Sequence, residues 1–373
     1  MHKKPDIWQP RYTITPAIAR GLMEIEAAKT AVGHTTLPLA SQEKLRQQAR
    51  VRATHYSTRI EGNRLTLEQA REVIEGKKLR FHGRERDMGE VRNYWNAILR
   101  VEKWAEKKIP LTEDLVKRLH ALVDRGIRAK ATPYRGGQNV IRDAASGAIV
   151  YLPPEARDVP GLMAGLVAWT RRAEKEGLPV PLLAGLVHYQ FVTIHPYLDG
   201  NGRTARLLAT FLLHGGGYGL NGFLSLEEHH ARDLGGYYRA LAAHPHHNYY
   251  EGRADADLTG WLEYFVGTLV GVFQSVREQT EKLARKGTPA IPEGLRKLDA
   301  RARTVLALFA DNERITAGGV AKALGLSDRM ARVLLHQWVG DGWLMVAQAA
   351  NRTRSYSLSA LYRQYIGKLS ATK

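Results

Sequence analysis

The 373-residue sequence contains no cysteine. That removes disulfides, a thiol nucleophile and any Cys-ligated zinc site. No apolar run approaches the roughly 18 residues needed to cross a bilayer, so no membrane partner is expected. The opening stretch MHKKPDIWQP carries charge with no apolar core behind it, which is not the pattern of a secretory signal. A cytoplasmic location is the simplest expectation. The G-x-x-x-x-G-K-[ST] phosphate loop is missing, which excludes nucleotide chemistry of that type. Internal repeats and long low-complexity segments are missing too.

Carboxylates are scarce beside cations: 55 Lys+Arg face 37 Asp+Glu, for a net charge of +18. The excess is uneven, since from Glu281 onward 16 Lys+Arg against 7 Asp+Glu leave +9. A basic tail points to an anionic partner, nucleic acid foremost, although a generally basic proteome would give the same bias. Otherwise the composition is that of a soluble globular chain, with length for two or three domains.

The periodicity predicts a mainly α protein. Residues 15–131 carry apolar positions at helical spacing, with Thr66 and Thr112 placed as N-caps. Between Tyr134 and Pro154 the runs NVIRD and AIVYL predict a small hairpin around Ala144-Ala145-Ser146-Gly147. Helices follow in GLMAGLVAWTRRAEKEG, in PLLAGLVHYQFVTI, and from Asn201 through RTARLLATFLLHGGG, with more to about Lys282. Pro196 disfavours a helical residue before it, so His195 begins a loop. The stretch 284–297, ARKGTPAIPEGLRK, reads as a linker. After it come three helical segments, with Thr316 and Ser327 as N-caps of the second and third, and the strands WLMVAQA and RSYSLS around Asn351-Arg352-Thr353-Arg354. Three helices plus a hairpin is a winged-helix pattern. Its third helix is expected to show Arg329, Arg332 and His336 outward and to turn Val333, Leu334 and Trp338 inward.

The densest chemistry lies in HPYLDGNGRTAR, residues 195–206. A helix opening behind glycines presents free backbone N–H groups and a positive dipole end, which suits an anion. Gly200 and Gly202 allow close approach, and Asn201 can donate or accept. Arg203 and Arg206, three apart, can reach one polyphosphate. Asp199 is a hard oxygen ligand of the kind Mg²⁺ takes beside phosphates. His195 can accept a proton near neutral pH. The combination fits nucleotidyl or phosphoryl transfer.

This stretch resembles the signature of the Fic family, His-Pro-Phe-x-Asp/Glu-Gly-Asn-Gly-Arg-x-x-Arg, with Tyr197 where phenylalanine is commoner. The resemblance extends over roughly residues 50–270 and takes in YRGGQNVIR…YLPPEARDVPGLM, which looks like the family's substrate-docking flap. It implies an all-helical Fic domain with a small β-hairpin flap, followed here by the winged helix-turn-helix domain. It also implies transfer of AMP from ATP to a Ser, Thr or Tyr hydroxyl of a target protein, with release of pyrophosphate. His195 would be the base and Asp199 the Mg²⁺ ligand. Gly200, Asn201 and Gly202 would cradle phosphate oxygens, and Arg203 and Arg206 would hold the β- and γ-phosphates. Tyr237 or Tyr238 falls where the family packs an aromatic ring near adenine.

A second stretch, STRIEGN at residues 57–63, answers the first. Alone, Thr58-x-x-Glu61 is a capping box. It also resembles the family's inhibitory motif, Ser/Thr-x-x-x-Glu-Gly/Asn, with Ser57, Glu61 and Gly62 in place. That resemblance implies a Glu61–Arg206 pair that displaces the γ-phosphate, in the N-terminally inhibited type. The expected layout is residues 1–110 as a helical region with the inhibitory motif, 111–283 as the Fic core, 284–297 as linker and 298–373 as the winged helix. Two other readings stay open: removal of AMP from modified targets, and a DNA-binding regulator whose Fic domain senses nucleotide. Assembly as a homo-oligomer is also left open. The histidines at 229, 230, 244, 246 and 247 lack the helical spacing of a zinc pair. His188 reads as a hydrogen-bonded core residue, and HGGGYGLNG at 214–222 as a helix end plus loop.

Overall fold

The computed structural model describes residues 8–363 apart from 78–82, 143–145, 243, 246, 286–297, 311, 349–353 and 361. The chain divides into two compact units, residues 1–286 and 287–373.

The first unit is helical apart from one hairpin. Its elements are α1 (Pro16–His34), α2 (Leu39–Ile60), α3 (Leu67–Ile74), α4 (Glu85–Glu106), α5 (Glu113–Arg125), β1 (Ile141–Arg142), β2 (Ile149–Tyr151), α6 (Val159–Lys175), α7 (Val180–Ile194), α8 (Asn201–Gly215), α9 (Leu226–Arg232), α10 (Leu234–Leu241) and α11 (Thr259–Arg285). The antiparallel pair β1–β2 is the hairpin expected from sequence, with part of its turn, Ala144-Ala145, outside the described residues. The segment read as a linker starts later than 284, because α11 runs to Arg285; residues 286–297 are not described.

The core is built around α7, which is apolar nearly all round and therefore buried on every side. It packs against α6, α8 and α11. Close approach to α11 depends on Gly185, where a Cβ would lie 2.8 Å from the Phe265 ring. Trp261 Nε1 donates to the Gly185 carbonyl at 2.8 Å across the same contact.

By contrast, α2 is polar along much of its length, and charged pairs fix its position. Arg50 forks onto Glu102 of α4, with Nη2 2.8 Å from Oε2, and Arg52 lies 3.1 Å from Glu228 of α9. Shielded charge-assisted bonds of this kind are worth about 1.5–3 kcal/mol each. They hold the helix whose end carries the STRIEGN residues.

Thr66 and Thr112 cap α3 and α5 as expected, and Thr66 shares a reciprocal capping box with Gln69. Thr58-x-x-Glu61 is not a capping box. Glu61 is the C-terminal cap of α2, and the Thr58 hydroxyl bonds back to the carbonyls of Thr54 and His55. The spacing rule found the right residue types at the wrong end of a helix.

The second unit holds α12 (Ala300–Leu306), a 3₁₀ turn at Ala307–Ala310, β3 (Ile315–Thr316), α13 (Ala317–Leu324), α14 (Asp328–Gly340), β4 (Leu344–Gln348) and β5 (Ser355–Leu358). The strands form an antiparallel sheet in the order β3-β5-β4. Ile315 and Thr316, just ahead of the second helix, pair with Tyr356 and Ser355. Thr316 and Ser327 are the N-caps of α13 and α14. Trp338, Trp343, Leu335 and Val305 are among the residues that fill a separate core.

One assignment on α14 is overturned. Val333 is 56% exposed, and the inward positions are Ala331, Leu334, Leu335 and Trp338. Arg329, Arg332 and His336 are exposed as expected.

Candidate active site

The loop 195–200 joins α7 to α8. His195 adopts a left-handed conformation (φ 52°, ψ 59°), which costs on the order of 1–2 kcal/mol for a residue with a Cβ. Neighbouring bonds hold it there. Its N–H donates to Phe191 O at 3.0 Å, and its carbonyl accepts from Arg135 Nε at 2.9 Å. The Arg135 guanidinium also donates to Gly137 O and Pro154 O. One buried arginine thus ties the histidine to both sides of the hairpin segment. His195 Nδ1 faces Val192 O at 3.3 Å, which leaves Nε2 as the accepting nitrogen. Burial pushes the imidazole down to about 4, so it is unprotonated at neutral pH.

Tyr197 is buried and stacks on His120, with ring centroids 3.6 Å apart. His120, which burial lowers below its ordinary value, donates through Nε2 to Asp199 O at 2.8 Å. The Asn201 side chain closes the loop: Oδ1 accepts from Tyr197 N–H at 3.0 Å, and Nδ2 donates to Tyr197 O at 2.8 Å. The Asn201 side chain is thus committed to the loop, and its backbone N–H lies at the helix start. Asn201→Ala strands the Tyr197 N–H in a buried site, while Tyr197 O keeps the bond it accepts from Asn139 Nδ2 at 3.1 Å. The expected loss of stability is about 1–3 kcal/mol, to be read as a lower unfolding midpoint in denaturant.

Asp199 is exposed, and its carboxylate accepts from Gly200 N–H and from Arg203 Nη2 at 3.0 Å. Burial alone would raise its pKa, but Arg203, the Gly200 N–H and Arg86 together hold it below the usual carboxylate value. Arg203 is buried and also faces Glu90 at 3.7 Å, while Arg86 bonds Glu90 at 3.0 Å and reaches toward Asp199 at 3.6 Å. A single ionised, exposed carboxylate suits Mg²⁺, which takes one or two carboxylates plus phosphate oxygens. Among the described residues no cluster of three or more His, Asp or Glu forms a cage.

Arg206 is 1% exposed and spends its donors on the STRIEGN segment. Nε donates to Ser57 Oγ at 2.8 Å, and Nη2 donates to Ser57 O and to Glu61 Oε1, both at 2.9 Å. Burial disfavours the guanidinium charge, but Glu61 and the surrounding oxygens more than offset this and raise its pKa. The Glu61 side chain is 31% exposed and reaches the first turn of α8, where a Cβ at Gly202 would collide with its Oε1. No side chain caps this helix. The chain turns away at Gly62 (φ 91°), and Asn63 anchors it by donating to Asp87 O and Glu90 Oε2.

The two tyrosines separate cleanly. Tyr237 is buried, with its hydroxyl 2.8 Å from His188 Nε2, whereas Tyr238 is 49% exposed. His188 is the buried, hydrogen-bonded core residue expected, pushed down to about 3 by burial. The structure therefore gathers Ser57, Glu61, Asp199, Gly202, Arg203 and Arg206 around one helix start, beside the loop of His195. Sequence reasoning missed Arg86, Glu90, His120 and Arg135, which sit in ordinary helix or loop patterns with no motif of their own.

Residues 110–213 match the Fic/DOC family. Over these residues the chain is similar to Fic domains. The chain is similar to "Protein adenylyltransferase Fic" of Drosophila grimshawi, 30% identical over 205 residues, 53% of this chain and 40% of that protein. The Drosophila melanogaster protein of the same name is 29% identical over 205 residues, 53% of this chain and 39% of that one. The chain spans about 40% of the length of these curated relatives. Among solved structures, a Fic family protein from Desulfovibrio desulfuricans aligns with a TM-score of 0.59 at 29% identity, covering 95% of this chain and 99% of that one. The mostly helical architecture with its small hairpin thus follows the fold of known Fic proteins.

Proposed function

We propose that this chain transfers AMP from ATP to a hydroxyl side chain of a target protein, and that Glu61 restrains it in the state described. What supports the reading is the place of Glu61. Its carboxylate bonds Arg206 and lies against Gly202 at the start of α8, the electropositive position a polyphosphate would take. In the reaction the target O–H gives its proton to His195 Nε2. The oxygen bonds to the α-phosphorus as the bond to the bridging oxygen breaks, and pyrophosphate leaves. Arg203 and Arg206 bind the β- and γ-phosphates, the backbone at Gly200–Gly202 holds phosphate oxygens, and exposed Tyr238 is the better placed ring for adenine. Asp199 would hold Mg²⁺, which shields phosphate charge when bound. The restraint precedes the signature in the chain, so the enzyme is of the N-terminally inhibited type. The test is incubation of wild type and Glu61→Gly with ATP labelled in its α-phosphate, followed by mass spectrometry. No AMP adduct on the protein or on added targets, from either form, would refute the activity.

For the second unit we propose a winged helix that binds DNA. One observation favours it: along the described chain the ion pairs end at Arg285 with Glu281. Among the described residues beyond it, Arg301, Arg314, Lys322, Arg329, Arg332, Arg354 and Arg363 are all exposed, and none lies in a salt bridge. Exposed cations outside salt bridges on one small unit are what phosphate contacts require. Full-length protein should bind duplex DNA with an affinity that falls steeply as salt rises. Arg329→Ala with Arg332→Ala should weaken binding and shallow the salt slope by about two counterions. Anisotropy titrations at several salt concentrations measure both. A slope unchanged by the double substitution would remove α14 from the interface.

A further inference from the structure

Beside His195 lies a buried cation that the proposed reaction does not use. Arg135, ahead of β1, is 5% exposed, and burial disfavours its charge. Among the described residues it lies in no salt bridge. Its guanidinium donates to neutral oxygens instead. Nε bonds His195 O at 2.9 Å, Nη1 bonds Gly137 O at 3.0 Å and reaches Gln138 Oε1 at 3.4 Å, and Nη2 bonds Pro154 O. Its backbone N–H donates to Pro196 O at 2.9 Å. A buried charge with no partner of opposite sign is costly to keep, so its fork must hold something the site needs.

What it holds is a strained residue. His195 sits in the left-handed region (φ 52°), which a side chain with a Cβ disfavours. Relaxing that turn would move its carbonyl off Arg135 and swing the imidazole with it. The other two carbonyls on the fork flank the hairpin, Gly137 ahead of β1 and Pro154 after β2. Gln138 Nε2 closes the same gap by donating to Pro153 O at 3.0 Å. His195 is thus fixed to a frame that neither α7 nor α8 supplies.

We propose that Arg135 is the positioning residue of the base: from the root of the hairpin it locks the left-handed turn at His195, so that Nε2 stays aimed at the reacting hydroxyl. This rests on the reading that His195 takes the proton in AMP transfer. In this role Arg135 contacts no reacting group and acts through the histidine. None of the groups proposed to bind phosphate, at Gly200–Gly202, Arg203 and Arg206, is among its hydrogen-bond partners. Loss of the fork therefore slows the proton transfer and leaves nucleotide binding in place. Lysine is no substitute, since it keeps the charge but offers a compact ammonium where a planar fork spans three carbonyls.

The experiment measures label transfer from ATP, and ATP affinity by calorimetry, in the Glu61→Gly background. Two variants separate fork from charge. Arg135→Lys keeps the cation, whereas Arg135→Gln removes it together with the cost of burying it. Each should lower kcat about ten- to a hundredfold, the range that a small misplacement of a catalytic group produces. KM for ATP and ATP affinity should change little. Both variants are then repeated on top of His195→Ala. A residue that acts through the histidine has nothing left to position there, so the slow residual rate should not fall further. A merely structural role moves other readouts: ATP affinity falls together with kcat, and the residual rate of the His195→Ala protein drops again. Either result overturns the proposal, as does an unchanged kcat in either variant. If His195→Ala itself transfers AMP at the parental rate, the base reading is refuted and the positioning role with it.

Discussion

His195→Ala lowers AMP transfer by roughly 10²–10⁴-fold, measured as label incorporation from ATP in the Glu61→Gly background, and leaves the unfolding midpoint close to that of its parent. The size follows from what a positioned base supplies. In the protein the imidazole is unprotonated, and Nε2 is its free acceptor because Nδ1 faces Val192 O. Its direction is set by backbone, through the left-handed turn and the Arg135 bond to its carbonyl, so the alanine variant keeps the loop. The sign of the pH effect is fixed as well. Burial disfavours the protonated ring, so the acid limb of kcat/KM in the free enzyme lies below the ordinary histidine value of 6.5. Transfer undiminished in the alanine variant would remove His195 from the mechanism.

Glu61→Gly should raise the rate of self-modification by about a hundredfold, the equivalent of about 2.7 kcal/mol no longer spent on keeping ATP out of its productive pose. The cause is competition for one cation. Arg206 Nη2 is bonded to Glu61 Oε1 at 2.9 Å, and the same carboxylate fills the space over Gly202. A phosphate cannot share that position with it, by volume or by charge. Breaking a partly shielded Arg–carboxylate pair costs a few kcal/mol, which is the right order for the effect. Glycine is tolerated where it is introduced, because Glu61 is a helix cap and the turn that follows is already made by Gly62. The gain should vanish in the Glu61→Gly, Arg206→Ala double variant, since a freed site without its clamp gains nothing. Matched rates for wild type and Glu61→Gly would sink the restraint.

Much of the site was legible because its chemistry is local. A loop that begins at a histidine before proline and ends at a helix N-terminus is written in consecutive residues, and the structure has α7 stop at Ile194 and α8 open at Asn201. The helix caps at Thr66, Thr112, Thr316 and Ser327 were legible for the same reason. The contact of STRIEGN with Arg206 spans 145 residues and was readable only through resemblance to a family. Glu90, His120 and Arg135 were not readable at all, since an acidic, a basic or an aromatic residue within an ordinary helix or loop does not say what it will face. The Val333 assignment failed for a related reason. On a helix of 13 residues, two apolar neighbours at 333 and 334 leave the register ambiguous by one position, and Trp338 packing with Leu334 and Leu335 decided it.

The seating of α2 makes length part of the inhibitor. Arg50 and Arg52 are fixed on α4 and α9, and Glu61 follows the last residue of the same helix. Between anchor and carboxylate the backbone is rigid, so each residue added or removed there shifts the carboxylate by about 1.5 Å and turns it by about 100°. One such change carries Glu61 off Arg206 although every side chain named remains in the sequence. The segment between 52 and 61 is in effect a calibrated rod, intolerant of insertion and deletion, whereas the turn after Gly62 has no such duty to length.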